Sequence, residues 1–239
     1  TLLTRSTRQL ALTDAGERFY SRCTRMLEEA RLAVEEARSE HAQLKGTLRI
    51  TTTVEYALAV VAPKVEAFRR LHPDLHVQLS TSSTHADLIS ERFDVAIRLG
   101  RLLDSNHRAV QLSTFEVFAV AAPAFAGIRT LDELEQVPKL GHGRLTEQSL
   151  SDPAGGAHQY RPGPTALTAD SASVLQAFAL RGHGVAVLPQ WLVQEDLEAG
   201  RLVRLLADHR FAPQGIYAMY PDTRHLPLKV RAFIDFMKG

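Results

Sequence analysis

The side chains of this sequence that could do chemistry are hydroxyls, carboxylates and one arginine at the ends of short apolar runs. Thr52 and Thr53 close the run 48–53 and Glu55 follows them; Thr81 and Ser83 follow the alternating run 75–79. Arg98 and Gly100 end the run that starts at Asp94, His142 ends 139–142, and Asp170 with Ser171 follows 165–169. Hydroxyls and free N–H groups at strand ends and helix starts suit the grip of a small polar molecule. The same residues would serve equally well as plain helix caps and loop polar groups.

Machinery for bond breaking is not visible. There is no Gly-x-Ser-x-Gly elbow, Walker loop, paired-cysteine knuckle or His-Glu-x-x-His helix. The ten histidines are scattered, and His72 and His76, although spaced like metal ligands, are separated by Pro73 where a helix gives way to a strand. His183 lies between Gly182 and Gly184 at a turn, a motif too short for a dinucleotide fingerprint. The only thiol, Cys23, lies far upstream of the polar strand ends. We therefore expect no catalytic residue, no metal and no cofactor.

The elements that must position these groups follow from periodicity. After a strand at 48–53, Leu58, Val61, Ala62, Val65, Phe68 and Leu71 recur at helical spacing; strands at 75–79 and 94–98 flank a short helix carrying Leu88 and Ile89. This β-α-β-α-β order predicts a mainly parallel sheet covered by helices, with ligands bound beyond the carboxyl ends of the strands, in the loops 52–56, 81–85 and 99–101. A strand at 116–121 follows, and then the pattern begins again. Thr130 and Glu133 form a capping box, 139–142 and 165–169 are strands, and Asp170 and Ser171 cap a helix carrying Val174, Leu175 and Phe178. Gly182 and Gly184 stop that helix, 185–188 is a buried strand, and Pro189 starts the helix of Trp191. Strands at 202–205 and 216–220 and a last helix with Val230 and Phe233 complete two α/β lobes.

Ahead of the lobes, residues 13–44 read as one long helix. Its apolar positions are Ala15, Phe19, Cys23, Met26, Ala30, Ala33, Ala37, His41 and Leu44, stepping 4-3-4-3-4 from Phe19 to Ala37, the rhythm of a coiled-coil seam. Thr13 caps its start and Gly46 follows its end. At ~1.5 Å per residue it is a rod of roughly 45 Å, with a stripe too narrow for a core face. It is expected to dimerise. Basic residues prevail up to Leu27 and acidic ones from Glu28 to Glu40, so an antiparallel pair sets opposite charges side by side. Before the rod, residues 1–12 look like a hairpin whose turn carries Arg5 and Arg8, placed either for DNA phosphates or merely for solvent.

Composition narrows the classes further. A net charge of +1 over 239 residues carries no global nucleic-acid or membrane signature, so any basic surface is local. No apolar run approaches a membrane span of ~18 residues, and a single cysteine suits the cytoplasm. A balance of 45% hydrophobic and 23% charged residues is that of an ordinary globular chain.

With these residues in view, the chain resembles the LysR-type transcriptional regulators of bacteria. Thr4-Arg-Ser-Thr-Arg-Gln-Leu-Ala-Leu-Thr-Asp-Ala-Gly-Glu-Arg-Phe-Tyr20 is similar to that family's wing and the start of its linker helix. Gly46-Thr-Leu-Arg-Ile50, Phe93-Asp-Val-Ala-Ile-Arg-Leu-Gly100, Gly182-His-Gly-Val-Ala-Val-Leu-Pro189, Glu198-Ala-Gly-Arg-Leu-Val203 and Lys229-Val-Arg-Ala-Phe-Ile-Asp-Phe236 resemble its effector domain. The resemblance implies a two-lobed effector domain similar to periplasmic binding proteins, preceded by a linker helix and part of a winged helix-turn-helix. It divides the chain into a wing at 1–12, a dimerisation helix at 13–45, lobe I at 46–119 and 216–239, and lobe II at 120–215.

It further implies double-stranded DNA and a small polar metabolite as partners, a homodimer that assembles into a homotetramer, and a recognition helix lying before Thr1. Three positions depart from the family's habit: Leu3 where Phe is usual, His183 where an apolar residue is usual, and Glu55 where Ser or Thr is common. A carboxylate at position 55 would repel an anionic effector. A stand-alone small-molecule binding protein or enzyme on the same two-lobed scaffold is the alternative, and the wing and rod argue against it, since such a protein needs neither.

Overall fold

The structure, a computed structural model, describes residues 2–5, 10–37, 44–82, 92–100, 107–143, 147–161, 165, 167–223 and 226–239. Strands β1 (Leu3–Arg5) and β2 (Leu10–Leu12) pair antiparallel as the expected hairpin and lead into helix α1 (Asp14–Ala37). Thr13 caps it, its Oγ1 accepting from Gly16 N at 3.0 Å. Two of its seam residues are open to solvent: Phe19 is 55% and Met26 66% exposed. Ala30 is exposed and Cys23 half-buried, while the side chains of Ala33 and Ala37, residue His41 and the turn residue Arg8 lie outside the described residues. Leu44, expected on the seam, instead lies buried in the core of the first lobe, since the chain has already left the helix there.

The first lobe contains β3 (Gly46–Thr52), α2 (Val54–Tyr56), a π-helical turn (Ala57–Val61), α3 (Ala62–Leu71), β4 (Leu75–Thr81), β5 (Val95–Leu99) and β6 (His107–Phe115). Pro63 explains the π turn. It has no N–H to donate to a carbonyl four residues back, and the widened turn, with Ala62 N bonded to Ala57 O, absorbs the break. The extra residue rotates the apolar stripe, which leaves Leu58 exposed while Val61 and Phe68 are buried. The short helix expected around Leu88 lies outside the described residues.

The second lobe contains β7 (Val117–Ala121), α4 (Leu131–Glu135), β8 (Leu140–His142), β9 (Gln148–Ser151), β10 (Ala157–Tyr160), β11 (Leu167–Ala169), α5 (Ala172–Leu180), β12 (Ala186–Pro189), α6 (Gln190–Glu198), β13 (Val203–Arg204) and β14 (Arg210–Phe211). The chain then returns to the first lobe as β15 (Gln214–Pro221) and ends in α7 (Leu228–Lys238).

The first sheet has the order β4-β3-β5-β15-β6. Its first three strands are parallel, with α2 and α3 making the crossover from β3 to β4, but β15 runs antiparallel to both β5 and β6. The sheet is therefore mixed where a mainly parallel one was expected; β15 arrives from the other lobe and needs no helical crossover. In the second lobe β7 pairs antiparallel with β12 and β13, whereas β8 and β11 are parallel. Strand β7 thus belongs wholly to the second set of sheets, and Gln214 and Gly215 to the first. Between the two sets of sheets the chain passes through Glu116 and through 212–213.

Leu48, Ile50, Val95 and Ile97 alternate with no solvent exposure along β3 and β5 and pack under α3 and α7, where Phe68 and Phe233 meet with ring centroids 5.4 Å apart. A separate core surrounds Val120, Leu175 and Leu188 in the second lobe. The two lobes thus have their own buried cores, bridged by Trp191 and Phe115.

Candidate functional site

Parallel pairing brings the expected polar residues to one edge. Register places Thr52 opposite Thr81 at the carboxyl ends of β3 and β4, and β5 ends nearby at Leu99. Thr52 is fully buried, and its hydroxyl finds no hydrogen-bond partner among the described residues. Thr53, extended at φ −73° and ψ 155°, caps the helical run that follows, its Oγ1 accepting from Tyr56 N at 3.4 Å. Thr81 is exposed, and Ser83 lies outside the described residues.

On the second lobe the parallel pair β8–β11 sets His142 opposite Ala169, so that His142, Asp170 and Ser171 share one edge. Ser171, not Asp170, is the N-cap of α5: it is extended, and its Oγ accepts from Val174 N at 3.4 Å.

These edges are joined. Glu55, in the first turn after β3, reaches across the cleft and its Oε1 accepts from Ser171 Oγ at 2.6 Å and from Ser173 N at 3.2 Å. The amino end of α5 thus holds a carboxylate from the other lobe, the charge its unpaired N–H groups and dipole favour. Burial pushes the Glu55 carboxyl up, but the Ser171 hydroxyl, the N–H groups of Glu55 and Ser173 and the Ser173 hydroxyl outweigh it and hold the group below the usual carboxylate range. The neighbouring residue completes the contact, since Tyr56 is buried against Trp191 of α6.

Arg98 is buried within β5 rather than displayed at its end, and its Nη1 donates to Ile97 O at 3.2 Å. Gly100 follows at φ +90°, a conformation that favours glycine, and its N donates to Gly215 O at 2.9 Å. The structure therefore gathers Thr52, Thr53, Glu55 and Ser171 most closely. It adds Ser173, through its backbone N–H, and Trp191, neither of which sequence reading placed at the cleft, and it singles out Tyr56, the last residue of the expected loop 52–56. The adjacency of Tyr56 to Glu55 was a usable signal; nothing in the sequence pairs either residue with the second lobe.

A separate depression of about 490 Å³ lies where the chain crosses between lobes, lined by Thr114, Phe115, Glu116, Gln190, Trp191, Gln194 and Pro213. It contains none of the polar residues expected at the cleft. Among the described residues no group of three or more His, Cys, Asp or Glu is arranged to hold a metal ion, and no helix is long and apolar enough to cross a membrane.

Comparison with known proteins adds an independent line. The family profile described as the LysR substrate binding domain matches residues 41–239. The HTH-type transcriptional regulator PtxR of Pseudomonas aeruginosa is 35% identical over 247 residues, covering 99% of this chain and 78% of that protein. The regulator CrgA of Neisseria meningitidis is 30% identical over 99% of this chain and 81% of its own length. Among solved structures, the full-length Vibrio cholerae virulence activator AphB, described as a member of the LTTR family, is 31% identical and superposes with a TM-score of 0.68 over 99% of this chain and 83% of its own.

Proposed function

This chain belongs to the LysR-type transcriptional regulators, and from that premise we propose that the cleft spanned by Glu55 and Ser171 is where its small-molecule effector binds. One observation carries the assignment. Two capped helix starts, one from each lobe, face each other across a cleft, with the buried hydroxyl of Thr52, which has no partner among the described residues, at the adjoining strand end. A ligand held between such termini contacts both lobes at once, so its binding free energy depends on how far they are apart, which is the requirement for shifting a conformational equilibrium.

The remaining parts have the roles their chemistry suits. The exposed stripe of α1 pairs two subunits through Phe19, Cys23, Met26, Ala30, Ala33 and Ala37, and such dimers assemble further into tetramers. The hairpin lays Arg5 and Arg8 on DNA phosphates beside the recognition helix of a winged helix-turn-helix. Two phosphates neutralised per protomer give a salt slope of roughly −2 from the hairpin itself. The protein acts in the cytoplasm without catalysis.

A thermal-shift screen against a metabolite panel tests the site, because a ligand at ~100 times its dissociation constant adds ~2.7 kcal/mol of stability. Hits are then titrated against Thr53→Val and Ser171→Ala. Loss of binding in both supports the cleft; unaltered affinity in both moves the site elsewhere.

A further inference from the structure

We infer that Glu55 sets the charge selectivity of the cleft: its carboxylate fills, from within the chain, the seat that a carboxylate effector would take at the amino end of α5. The inference rests on the reading of the cleft as the effector site and names the class of molecule that site accepts. A free carboxylate entering the cleft meets two obstacles. The donors it needs, Ser171 Oγ and Ser173 N, are already bonded to Glu55 Oε1 at 2.6 and 3.2 Å. Displacing Glu55 also leaves two negative charges in a partly dehydrated space, where repulsion is far stronger than in water.

The occupant also has a competitive advantage. Tethering gives Glu55 an effective concentration in the millimolar range or above without any loss of translational freedom on binding. The tether is short and firm, because Glu55 lies between the Thr53 cap and Tyr56, which is buried against Trp191. A cationic or neutral molecule that brings its own N–H donors meets no such obstacle. It can bond the Glu55 carboxylate where it stands, beside the strand end where the buried Thr52 hydroxyl has no partner among the described residues. The cleft therefore accepts amines and donor-rich neutral molecules and refuses simple carboxylates.

Benzoate at constant ionic strength is the probe, titrated calorimetrically into the full chain, into Glu55→Thr and into Glu55→Thr with Ser171→Ala. The expected result is no saturable binding to the wild type, at least tenfold tighter binding once Glu55 is gone, and loss of that gain when Ser171 is also removed. Equal affinity in wild type and Glu55→Thr overturns the inference, as does a gain that survives Ser171→Ala. Should Glu55→Thr not fold, Glu55→Gln keeps the size and acceptor oxygen without the charge; a gain of benzoate binding there supports the inference and unchanged affinity overturns it. The effector-site reading fails separately, through unaltered metabolite affinity in Thr53→Val and Ser171→Ala.

Discussion

The ring of Tyr56 stands edge-on to that of Trp191, with centroids 5.5 Å apart and planes at 68°, so the only tryptophan of the sequence sits where the two lobes touch. Phe115, one residue before the crossing, also packs against that indole, with ring centroids 6.3 Å apart. Any movement that parts the lobes at Tyr56 changes the environment of that indole. We expect a shift in tryptophan emission on saturation with effector, and the shift should disappear in Trp191→Phe. Constant emission at saturating ligand would show that the lobes do not move at this contact.

The Glu55 contact has a definite pH dependence. Its carboxyl lies below the ordinary carboxylate range when folded, so on acidification the unfolded chain takes up the proton first. The stability it contributes is complete above the unfolded value and is lost as pH falls through the folded one. Urea melts of wild type and Glu55→Gln from pH 7 to pH 3 should therefore show a difference that is largest at neutrality and shrinks with acidification. A difference independent of pH would remove the carboxylate from the account.

Gly16 carries a different burden. It is buried in the first turn of α1, and a Cβ built on it would stand 1.9 Å from Leu2 O, the carbonyl that accepts from Thr13 N. In an isolated helix Gly16→Ala would add up to ~1 kcal/mol. Here the substitution must push the first strand off the helix. Hydrogen exchange should accelerate at Thr13 and along β1 and β2 without changing in the lobes, and protection equal to wild type would refute the close approach.

Rod orientation is decided by crosslinking. With Cys23→Ser as background, a cysteine introduced at Ala37 is juxtaposed with its mate in a parallel dimer, whereas an antiparallel pair centred on the seam separates the two by roughly 27 Å at ~1.5 Å per residue. We expect no efficient disulfide within the dimer. Each exposed charge pair contributes only ~0.2 to 1 kcal/mol, so in the proposed pairing the charge pattern selects orientation and the apolar seam supplies the bulk of the association.

The strands and helices of the two lobes were legible because their periodicities are local: Leu75, Val77 and Leu79 alternate, and the Thr130–Glu133 capping box forms as spelled, with both of its bonds present. Strand β6 was not. It lies at the edge of the sheet with mostly exposed residues, and among them Val110, Leu112 and Phe115 pack on the core, without the regular alternation that marks a strand. The hairpin of β9 and β10 was hidden by the polar composition around it, although Asp152 organises its turn by accepting from Ala154 N and Gly156 N. At the cleft, Thr53 and Ser171 were readable as caps because a cap is written in three or four adjacent residues. The bond between Glu55 and Ser171 was not, since it spans 116 residues and depends on how two independently folded lobes are set by the crossing strands.

Those crossings number two, one through Glu116 alone and one through Ala212 and Pro213. With Phe115 paired to Gln214 they lie side by side, placed like the pair of pins on which a door hangs. The rod is fixed to one side of the door only, since the chain enters the first-lobe core at Leu44 and passes directly into β3. The second lobe has no covalent route to the rod except through these pins and the first lobe. A swing of the second lobe about these pins would leave the first lobe's bearing on the rod unchanged.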